Sequence, residues 1–309
     1  MLETIDRLRK NISKVYVGGG DAVDGVIRCL LARGHALIED VPGVGKTVLA
    51  SAVAKSLDCT FSRVQLTPDM LPSDVLGVTI YDRQSSRFEF KRGPIFANVV
   101  LADEVNRTTP RTQTALLEAM SDGSVSIDGT VHMLAEPFVV LATQNPFEFE
   151  GTFPLPENQL DRFLLRLRLG YPSAVEESRL LELRPSQNEL PDLEPVLRAD
   201  EIVAIQKQVD AVEIREAMRD YIVAFSRASR EHQDLRVGMS PRGSLALAQC
   251  ARATAFMDGR SYVVPEDVID NVPAVCAHRV IPRAAADVGS WDVTSGVLAD
   301  VLRGLEAPV

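Results

Sequence analysis

The sequence has few of the residues that build disulfides or thiol and histidine metal centres. It contains 4 cysteines, 4 histidines and 1 tryptophan among 309 residues. The cysteines are widely spaced in apolar segments, which favours buried free thiols over disulfides or a zinc site. The histidines show no metal-ligand spacing, and we assign none of them a metal. These residues are Cys29, Cys59, Cys250, Cys276, His35, His132, His232 and His278.

Long hydrophobic runs and an excess of basic charge are also absent. No stretch approaches the roughly 20 apolar residues of a membrane span. The segment from Met1 to Leu8 has mixed charge, unlike the basic-then-apolar pattern of an export signal. We therefore expect a cytoplasmic protein without membrane insertion. The formal net charge of −10 argues against a broad surface for nucleic acid or anionic membranes.

Apolar residues are plentiful, at 46% of the composition, in a chain long enough for about two domains. Up to Leu169, short apolar runs alternate with helical patterns, which predicts a five-stranded parallel sheet covered by helices on both faces. A charged segment interrupted by prolines follows from Tyr171, and beyond it the patterns predict helices only. We predict an α/β fold with an αβα core over 1–171, a linker over 172–198 and a helical domain over 199–309.

The predicted elements can be given in chain order. The strands are the apolar run 35–39, Thr60 to Leu66, Ile95 to Ala102, Phe138 to Ala142 and Phe163 to Leu169. Hairpins are predicted in Val78 to Lys91 and around Asp128-Gly129. The helices of the core are Glu3 to Ser13, Ala22 to Arg33 with Asp21 as its cap, one after Lys46, Arg111 to Met120 and Pro154 to Arg162. The later helices are Asp200 to Val209, Val212 to Arg227, Pro241 to Met257, Pro265 to His278 and Val293 to Arg303.

One stretch has the pattern of a phosphate-binding loop between a strand and a helix. In such a loop backbone N–H groups bind the anion, Lys46 reaches the terminal phosphates and the Thr47 hydroxyl ligates Mg²⁺. The general consensus has its first glycine where this chain has Asp40. The alternative is a glycine-rich connection without a ligand. The predicted nucleotide-binding residues of this stretch are Asp40, Val41, Pro42, Gly43, Val44, Gly45, Lys46, Thr47 and Val48.

Two acids follow a continuous apolar run, which is typical of a strand buried on both faces. Ligands of open α/β sheets bind beyond the carboxyl ends of such strands. Asp103 suits the holding of Mg²⁺ through its water shell, and Glu104 suits the polarisation of the water that attacks the γ-phosphate. The alternative is that both acids cap the following helix.

Two more polar residues are candidates for this site. Asn145 follows the next apolar strand, where it would lie beside the acids and hold the attacking water or the γ-phosphate. It is also an ordinary turn residue before Pro146. Ser240-Pro241 predicts a helix start with Arg242 in the first turn, facing the phosphates or forming a surface salt bridge.

Together these motifs resemble the AAA+ ATPases, and specifically the MoxR family. The most selective blocks run from Leu66 to Asp74, Gly93 to Asn98, Leu101 to Arg107, Ala142 to Pro146 and Pro154 to Phe163. With the residues around Arg242 they extend across most of the chain.

The resemblance implies roles for three residues and two segments. Asn145 would be the sensor 1 residue, Arg162 the arginine finger offered to a neighbouring subunit, and Arg242 the sensor 2 residue of a helical lid. The long segment from Thr67 to Gly93 would be the helix-2 insert, although by itself it could be a solvated connection. Asp122 to Pro137 would be the pre-sensor-1 hairpin. Gly19 stands where the family often has a glutamine near the adenine.

The resemblance further implies an ATP- and Mg²⁺-dependent, chaperone-like remodelling protein that forms a ring, expected to be a hexamer. Family members are associated with maturation of, or metal insertion into, partner complexes, often through a partner with a von Willebrand factor A domain. One alternative is a nucleic-acid motor, against which the acidic balance and the lack of a basic-aromatic hairpin tip weigh. Another is a nucleotide-gated scaffold with little turnover.

Overall fold

The computed structural model describes residues 2–40, 43–145, 151–183, 190, 192–283 and 291–308. Its helices are α1 (Leu2–Val15), α2 (Gly20–Leu31), α3 (Lys46–Ser56), α4 (Pro72–Leu76), α5 (Pro110–Asp122), α6 (Glu157–Leu160), α7 (Ala174–Leu183), α8 (Ala199–Asp210), α9 (Glu216–Glu231), α10 (Pro241–Met257), α11 (Pro265–Ile269), α12 (Val272–Cys276) and α13 (Trp291–Arg303). Its strands are β1 (Ala36–Glu39), β2 (Phe61–Gln65), β3 (Gly77–Asp82), β4 (Arg87–Arg92), β5 (Val99–Asp103), β6 (Ser124–Ile127), β7 (Thr130–Met133), β8 (Val139–Gln144), β9 (Leu165–Leu167), β10 (Leu235–Val237) and β11 (Ile281–Pro282).

The described residues form a five-stranded sheet in the order β2-β5-β8-β1-β9, and all its pairings are parallel. The central strands β1 and β5 are buried along their whole length, and β8 is buried as far as Thr143. Parallel strands covered on both faces read as continuous apolar runs, which is why the sequence pattern identified them. The predicted five-stranded parallel sheet is confirmed.

Helices cover both faces of this sheet because alternate residues of each strand point to opposite sides. In β1, Ala36 and Ile38 join a cluster of buried apolar residues with α1, α2 and α3. Leu37 points the other way and joins a second cluster with α5 and its neighbours. The first cluster continues into the later helices, through residues such as Phe225 and Leu247. One apolar core therefore connects the sheet to the helical part of the chain.

The helix α10 begins and ends at the predicted residues. Ser240 is its N-cap, with its hydroxyl oxygen accepting a hydrogen bond from the Gly243 N–H at 3.0 Å, and Pro241 occupies the first turn. A serine cap followed by proline is a preferred helix start, because the proline has no N–H to leave unpaired. The predicted cap and helix are confirmed.

The two predicted hairpins are also confirmed, as β3 with β4 and β6 with β7. The second hairpin turns through Asp128 and Gly129, whose φ angles are 50° and 76°. Aromatic contacts join the hairpins, because the Phe90 ring stacks on His132 with 4.2 Å between ring centroids. Phe96 packs edge-on against both rings.

Several predicted boundaries in the core are wrong. The strand predicted from Ile95 begins only at Val99, since Pro94 starts a short 3₁₀ turn over Pro94–Phe96. Ile95 is buried in that turn, which accounts for an apolar residue outside the strand. Asp21 does not cap α2, which begins at Gly20 after Gly19, so the Asp21 carboxylate lies in the first helical turn.

The later part of the chain does not consist of helices only, because β10 and β11 form a small antiparallel sheet. Such short strands have too few residues to show a period in the sequence. The helix predicted from Pro265 to His278 is divided into α11 and α12, with Pro273 at the start of the second. A proline there removes a helical hydrogen bond.

Two other predicted segments also differ. The helix predicted from Val212 begins at Glu216, because Glu213 is in a β-bridge with Tyr262. The predicted linker over 172–198 includes α7, while its residues 184–189 and 191 lie outside the described residues. Its segment from 192 is packed on the core, with Leu193 and Leu197 buried. The domain boundaries stay a prediction.

The cysteines lie mostly in the core. Cys29, Cys250 and Cys276 are free and buried, and Cys59 is free and partly buried. Burial raises the pKa of the Cys250 thiol to about 12, so this thiol is uncharged at neutral pH. None of the helices in the described ranges combines the length and apolar content that crossing a membrane requires.

Candidate nucleotide-binding site

A cleft of about 300 Å³ opens at the carboxyl ends of β1, β5 and β8. Eight of the residues predicted for the nucleotide site line it, namely Gly43, Gly45, Lys46, Thr47, Val48, Asp103, Glu104 and Asn145. Three lining residues, Arg63, Gln65 and Thr143, were not predicted. The structure therefore brings together segments that are far apart in the sequence. This is the edge of an α/β sheet at which ligands bind.

The loop before α3 has the backbone of an anion-binding turn. Gly43 and Gly45 each have a φ of 88°, in the left-handed region that favours glycine, and Gly45 is the N-cap of α3. The first N–H groups of a helix have no intrahelical partner and carry the positive end of its dipole. They can bind a phosphate group. Val41 and Pro42 lie outside the described residues.

Asp40 explains the departure from the general phosphate-loop consensus. Its carboxylate oxygen Oδ2 accepts hydrogen bonds from the backbone N–H groups of Leu169 and Gly170, both at 2.7 Å. Its carbonyl oxygen accepts a bond of 2.9 Å from Lys46 Nζ. The acid thus ties the end of β1 to the chain that leaves β9. A direct contact of Asp40 with a nucleotide stays a prediction.

Asp103 is buried at the end of β5, with a hydrogen-bond donor on each carboxylate oxygen. Arg63 Nε lies 2.7 Å from Oδ2, and Thr143 Oγ1 lies 3.2 Å from Oδ1. The same Thr143 hydroxyl accepts a bond of 2.9 Å from the Glu104 N–H. Thr143 therefore fixes both acids relative to β8.

Glu104 has a φ of 57°, which is uncommon for a residue with a side chain. Such a conformation costs of order 1 kcal/mol and is found often at functional sites. Gln65 Nε2 donates to Glu104 Oε2 at 2.8 Å, and Arg107 Nε lies 3.1 Å from the same oxygen. The alternative that both acids cap the following helix is wrong, because the N-cap of α5 is Thr109.

Burial and charge act in opposite directions on Lys46. Burial lowers the pKa of its ammonium group, while the negative charges of Asp40, Asp103 and Glu104 raise it. Nearby, burial raises the pKa of the Tyr16 phenol to about 12, helped by the charge of Asp40. The ring of Tyr16 packs against the loop, 3.4 Å from where a Cβ on Gly45 would lie.

Arg162 and Arg242 are not among the residues that line the cleft. Arg162 Nη1 donates to the Ser121 hydroxyl at 2.7 Å and to the Leu117 carbonyl at 3.1 Å, both near the end of α5. Arg242 is exposed in the first turn of α10. The start of that helix lies beside α6, because the Ser240 hydroxyl is 3.5 Å from Asp161 Oδ2. The roles of both arginines stay predictions.

Gly19 lies at the N-cap of α2, where a Cβ would meet no atom within 4 Å. A side chain at this position would therefore have room.

Arg63, Gln65 and Thr143 were missed for different reasons. Thr143 stands between a predicted strand and Asn145, so the sequence could have placed it at the same edge of the sheet as Asn145. Arg63 and Gln65 lie on β2, which occurs in the sequence well before the acids. Their approach depends on the pairing of β2 with β5, in which Gln65 lies opposite Asp103. A strand order of this kind has no local signal.

The cleft has the donors and acceptors that a magnesium nucleotide requires. The helix N-terminus and Lys46 suit phosphate oxygens, while the Thr47 hydroxyl and the Asp103 carboxylate are oxygen ligands of the kind that Mg²⁺ prefers. Within the described ranges no three His, Cys, Asp or Glu side chains converge to hold a metal ion. A magnesium ion here would take most of its ligands from water and phosphate, as is usual.

The comparisons with known proteins agree with this geometry. Residues 35–165 match the model of the ATPase family associated with various cellular activities (AAA), and residues 227–294 match the AAA lid domain. The crystal structure of a candidate ATPase from Cytophaga hutchinsonii superimposes with a TM-score of 0.91 at 34% identity, covering 100% of this chain and 96% of that one. The fold and site are therefore those of an AAA+ nucleotide-binding protein.

Two relatives define the family more closely. Chaperone MoxR1 of Mycobacterium tuberculosis is 38% identical over 91% of this chain and 76% of its own length. The uncharacterised protein YeaC of Bacillus subtilis is 45% identical over 97% of this chain and 93% of its own. The chain belongs to the MoxR family of AAA+ ATPases. The family resemblance predicted from the sequence is confirmed.

Proposed function

We propose that this protein hydrolyses ATP to ADP and phosphate and uses the energy to remodel partner protein complexes. One observation carries the proposal: Lys46, Thr47, Asp103, Glu104 and Asn145 line a single cleft. A loop that only connected a strand to a helix would not need two carboxylates and an amide opposite it. Phosphoryl transfer to water does need them, since its catalysis consists of positioning and charge stabilisation.

Each residue has a role in this proposal. The N–H groups at the start of α3 and the Lys46 ammonium bind the phosphates, and Thr47 and Asp103 hold the metal ion. When bound, Mg²⁺ would neutralise charge that develops on the transferred phosphoryl group. Glu104 orients a water molecule and accepts its proton. Asn145, at the end of β8, holds that water or the γ-phosphate in line.

We extend the proposal to a ring of six chains, with each site completed by Arg162 of its neighbour. The position of Arg162 outside the cleft of its own chain supports this arrangement. The exposed Arg242 would act as the sensor 2 residue of the lid. The target would be a protein client that undergoes maturation or metal insertion, reached through a partner with a von Willebrand factor A domain. We place this activity in the cytoplasm, which supplies both ATP and Mg²⁺.

One observation favours a second candidate, a nucleic-acid motor. The tip of the β3–β4 hairpin carries the aromatic residues Tyr81 and Phe88, which are 54% and 75% exposed, beside Arg83 and Arg87. Aromatic and basic residues together are typical of single-strand binding. The other hairpin, which turns at Asp128-Gly129, has no such residues in its turn. The expected lack of a basic-aromatic tip therefore holds for that hairpin and is wrong for β3–β4. The net charge of −10 disfavours this candidate.

The test is ATP turnover measured at several protein concentrations, with and without single-stranded DNA. We expect the specific ATPase activity to rise with protein concentration and to be unaffected by DNA. Stimulation by DNA, with DNA binding that is lost in Phe88→Ala, would favour the motor instead. Absence of turnover at concentrations where the ring is demonstrably assembled would contradict the proposed hydrolysis.

A further inference from the structure

The side chain of Arg63 forms an ion pair that the proposed reaction does not explain. Its Nε atom lies 2.7 Å from Asp103 Oδ2, on the carboxylate proposed to hold Mg²⁺. The Arg63 side chain is 50% exposed and that of Asp103 is 9% exposed. The arginine also lines the nucleotide cleft. A protein cation therefore pairs with the carboxylate that is proposed to hold Mg²⁺.

Burial makes this pairing necessary for Asp103. A buried carboxylate without a partner costs several kcal/mol, so the acid needs a cation whenever no metal ion is present. Arg63 supplies that charge at Oδ2 while Thr143 donates to Oδ1. Both oxygens are then satisfied by the protein alone.

A divalent cation beside Asp103 changes the balance of charge. It would lie within a few ångströms of the guanidinium, and like charges at such distances repel by about 1 kcal/mol or more even when screened. Arg63 can leave Oδ2 at little cost, since its half-exposed side chain stands on β2, the edge strand of the sheet.

We propose that Arg63 is a positioning residue that regulates the metal step of this site. It holds and neutralises Asp103 while no metal is bound, competes with Mg²⁺ for that carboxylate, and leaves it when Mg²⁺ binds there. This inference rests on the proposed ATP-binding function. It makes binding of ATP less dependent on Mg²⁺ than it would be if the charge of Asp103 had no partner.

The test uses the Arg63→Gln variant and measures binding of the β,γ-imido analogue of ATP, which is not hydrolysed. Affinity is determined by calorimetry in excess EDTA and in saturating Mg²⁺, and Mg²⁺ is then titrated at fixed nucleotide. In EDTA we expect binding to weaken by about 3- to 10-fold, because Asp103 now repels the phosphates. The half-saturating Mg²⁺ concentration should fall by a similar factor of about 3 to 10.

Two further variants separate charge from structure. Arg33 forms a surface pair with Asp210 at 2.6 Å and is 45% exposed, so Arg33→Gln removes the same charge from a similar pair elsewhere. Arg33→Gln should change neither the affinity for the analogue in EDTA nor the half-saturating Mg²⁺ concentration. Arg63→Lys retains the positive charge and should keep the half-saturating Mg²⁺ concentration within about twofold of the unchanged chain.

The outcomes distinguish this inference from the proposed function. A change in affinity that is equal in EDTA and in Mg²⁺ would show that Arg63 only supports β2, and would overturn the proposal. So would an unchanged Mg²⁺ requirement in Arg63→Gln. Failure of the unchanged chain to bind the analogue under either condition would contradict the ATP-binding function itself, and the role of Arg63 with it.

Discussion

Lys46 shows how one side chain is prepared for phosphate by its surroundings. Its ammonium group donates to the Asp40 carbonyl at 2.9 Å, close to the carboxylates of Asp103 and Glu104. Burial lowers its pKa, and the acids raise it. A triphosphate would therefore meet a half-buried cation held at the loop.

We expect Lys46→Ala to weaken ATP binding by about 10- to 100-fold, the loss of one charge-assisted hydrogen bond to phosphate. Calorimetric titration with the imido analogue measures this. Lys55→Ala, at the other end of α3, is the control and should bind normally, because Lys55 donates to the Leu190 carbonyl. Affinity in Lys46→Ala equal to that of the control would contradict the phosphate-loop assignment.

Glu104 is the second residue whose role a single substitution can test. Glu104→Gln keeps the side-chain shape and removes the ability to accept a proton, so we expect ATP to bind and hydrolysis to fall by at least about 100-fold. Phosphate release and nucleotide retention after gel filtration measure the two steps. Turnover at the unchanged rate would leave Glu104 without a role in the chemistry.

The strand β1 is fixed by polar side chains at both ends, the buried His35 and the partly exposed Asp40. At its start, His35 Nε2 lies 2.9 Å from the Met120 carbonyl oxygen, and Nδ1 accepts from the Val140 N–H at 2.9 Å. At its end, Asp40 binds the backbone after β9. A histidine with a donor on one nitrogen and an acceptor role on the other is neutral.

This arrangement predicts a pH dependence of stability. Burial lowers the pKa of His35 from 6.5 to about 4, so below pH 6.5 the unfolded chain binds a proton that the folded chain does not. Stability is then lost as the pH falls from 6.5 towards 4, by about 1.4 kcal/mol per pH unit. His278, whose pKa burial also lowers, contributes in the same direction.

Urea unfolding at pH 7.5, 6.5 and 5.5 measures this effect. We expect His35→Asn to be less stable at every pH and to lose less stability between pH 6.5 and 5.5 than the unchanged chain, by about 1 kcal/mol. Parallel pH profiles for the two proteins would show that His35 does not titrate on unfolding in this range.

At the scale of the whole molecule, the question is whether one chain contains a complete site. Arg162 is held by the Ser121 hydroxyl and the Leu117 carbonyl, outside the cleft of its own chain. Arg279 lies 2.7 Å from Asp161 and so packs the later helices against the residue before Arg162. This edge of the molecule would meet a neighbour in the proposed ring.

We expect Arg162→Ala to bind ATP normally and to hydrolyse it slowly, since arginines supplied in trans contribute roughly 10³- to 10⁵-fold in rate in other nucleotide hydrolases. Mixing it with Glu104→Gln should restore turnover, because the intact Arg162 of one variant can complete the phosphate-loop site of the other. The regained phosphate release should rise with total protein concentration.

Two results would contradict this shared site. One is turnover of Arg162→Ala at the unchanged rate. The other is a specific activity of the unchanged chain that stays constant down to a concentration where light scattering shows a monomer. The first result would show that Arg162 is not an arginine finger. Either result would show that hydrolysis does not require a ring.

The sequence by itself determined the sheet strands, the hairpins, the helix after Ser240-Pro241 and the positions of the predicted phosphate loop and the two acids at strand ends. Each of these is specified locally, because a continuous apolar run, a turn dipeptide or a helix cap acts over a few neighbouring residues. The family blocks extended that local information to most of the chain. The strand predicted from Ile95 began too early because burial in a turn gives the same apolar pattern as strand formation.

Only the tertiary structure decided which residues meet at the cleft from distant segments. Arg63 and Gln65 reach the acids because β2 pairs with β5. The Asp40 carboxylate accepts backbone hydrogen bonds because the chain after β9 passes the end of β1. β10 and β11 pair across a long separation in the sequence. Strand order and long-range pairing depend on packing of the whole core, and no short stretch of residues encodes them.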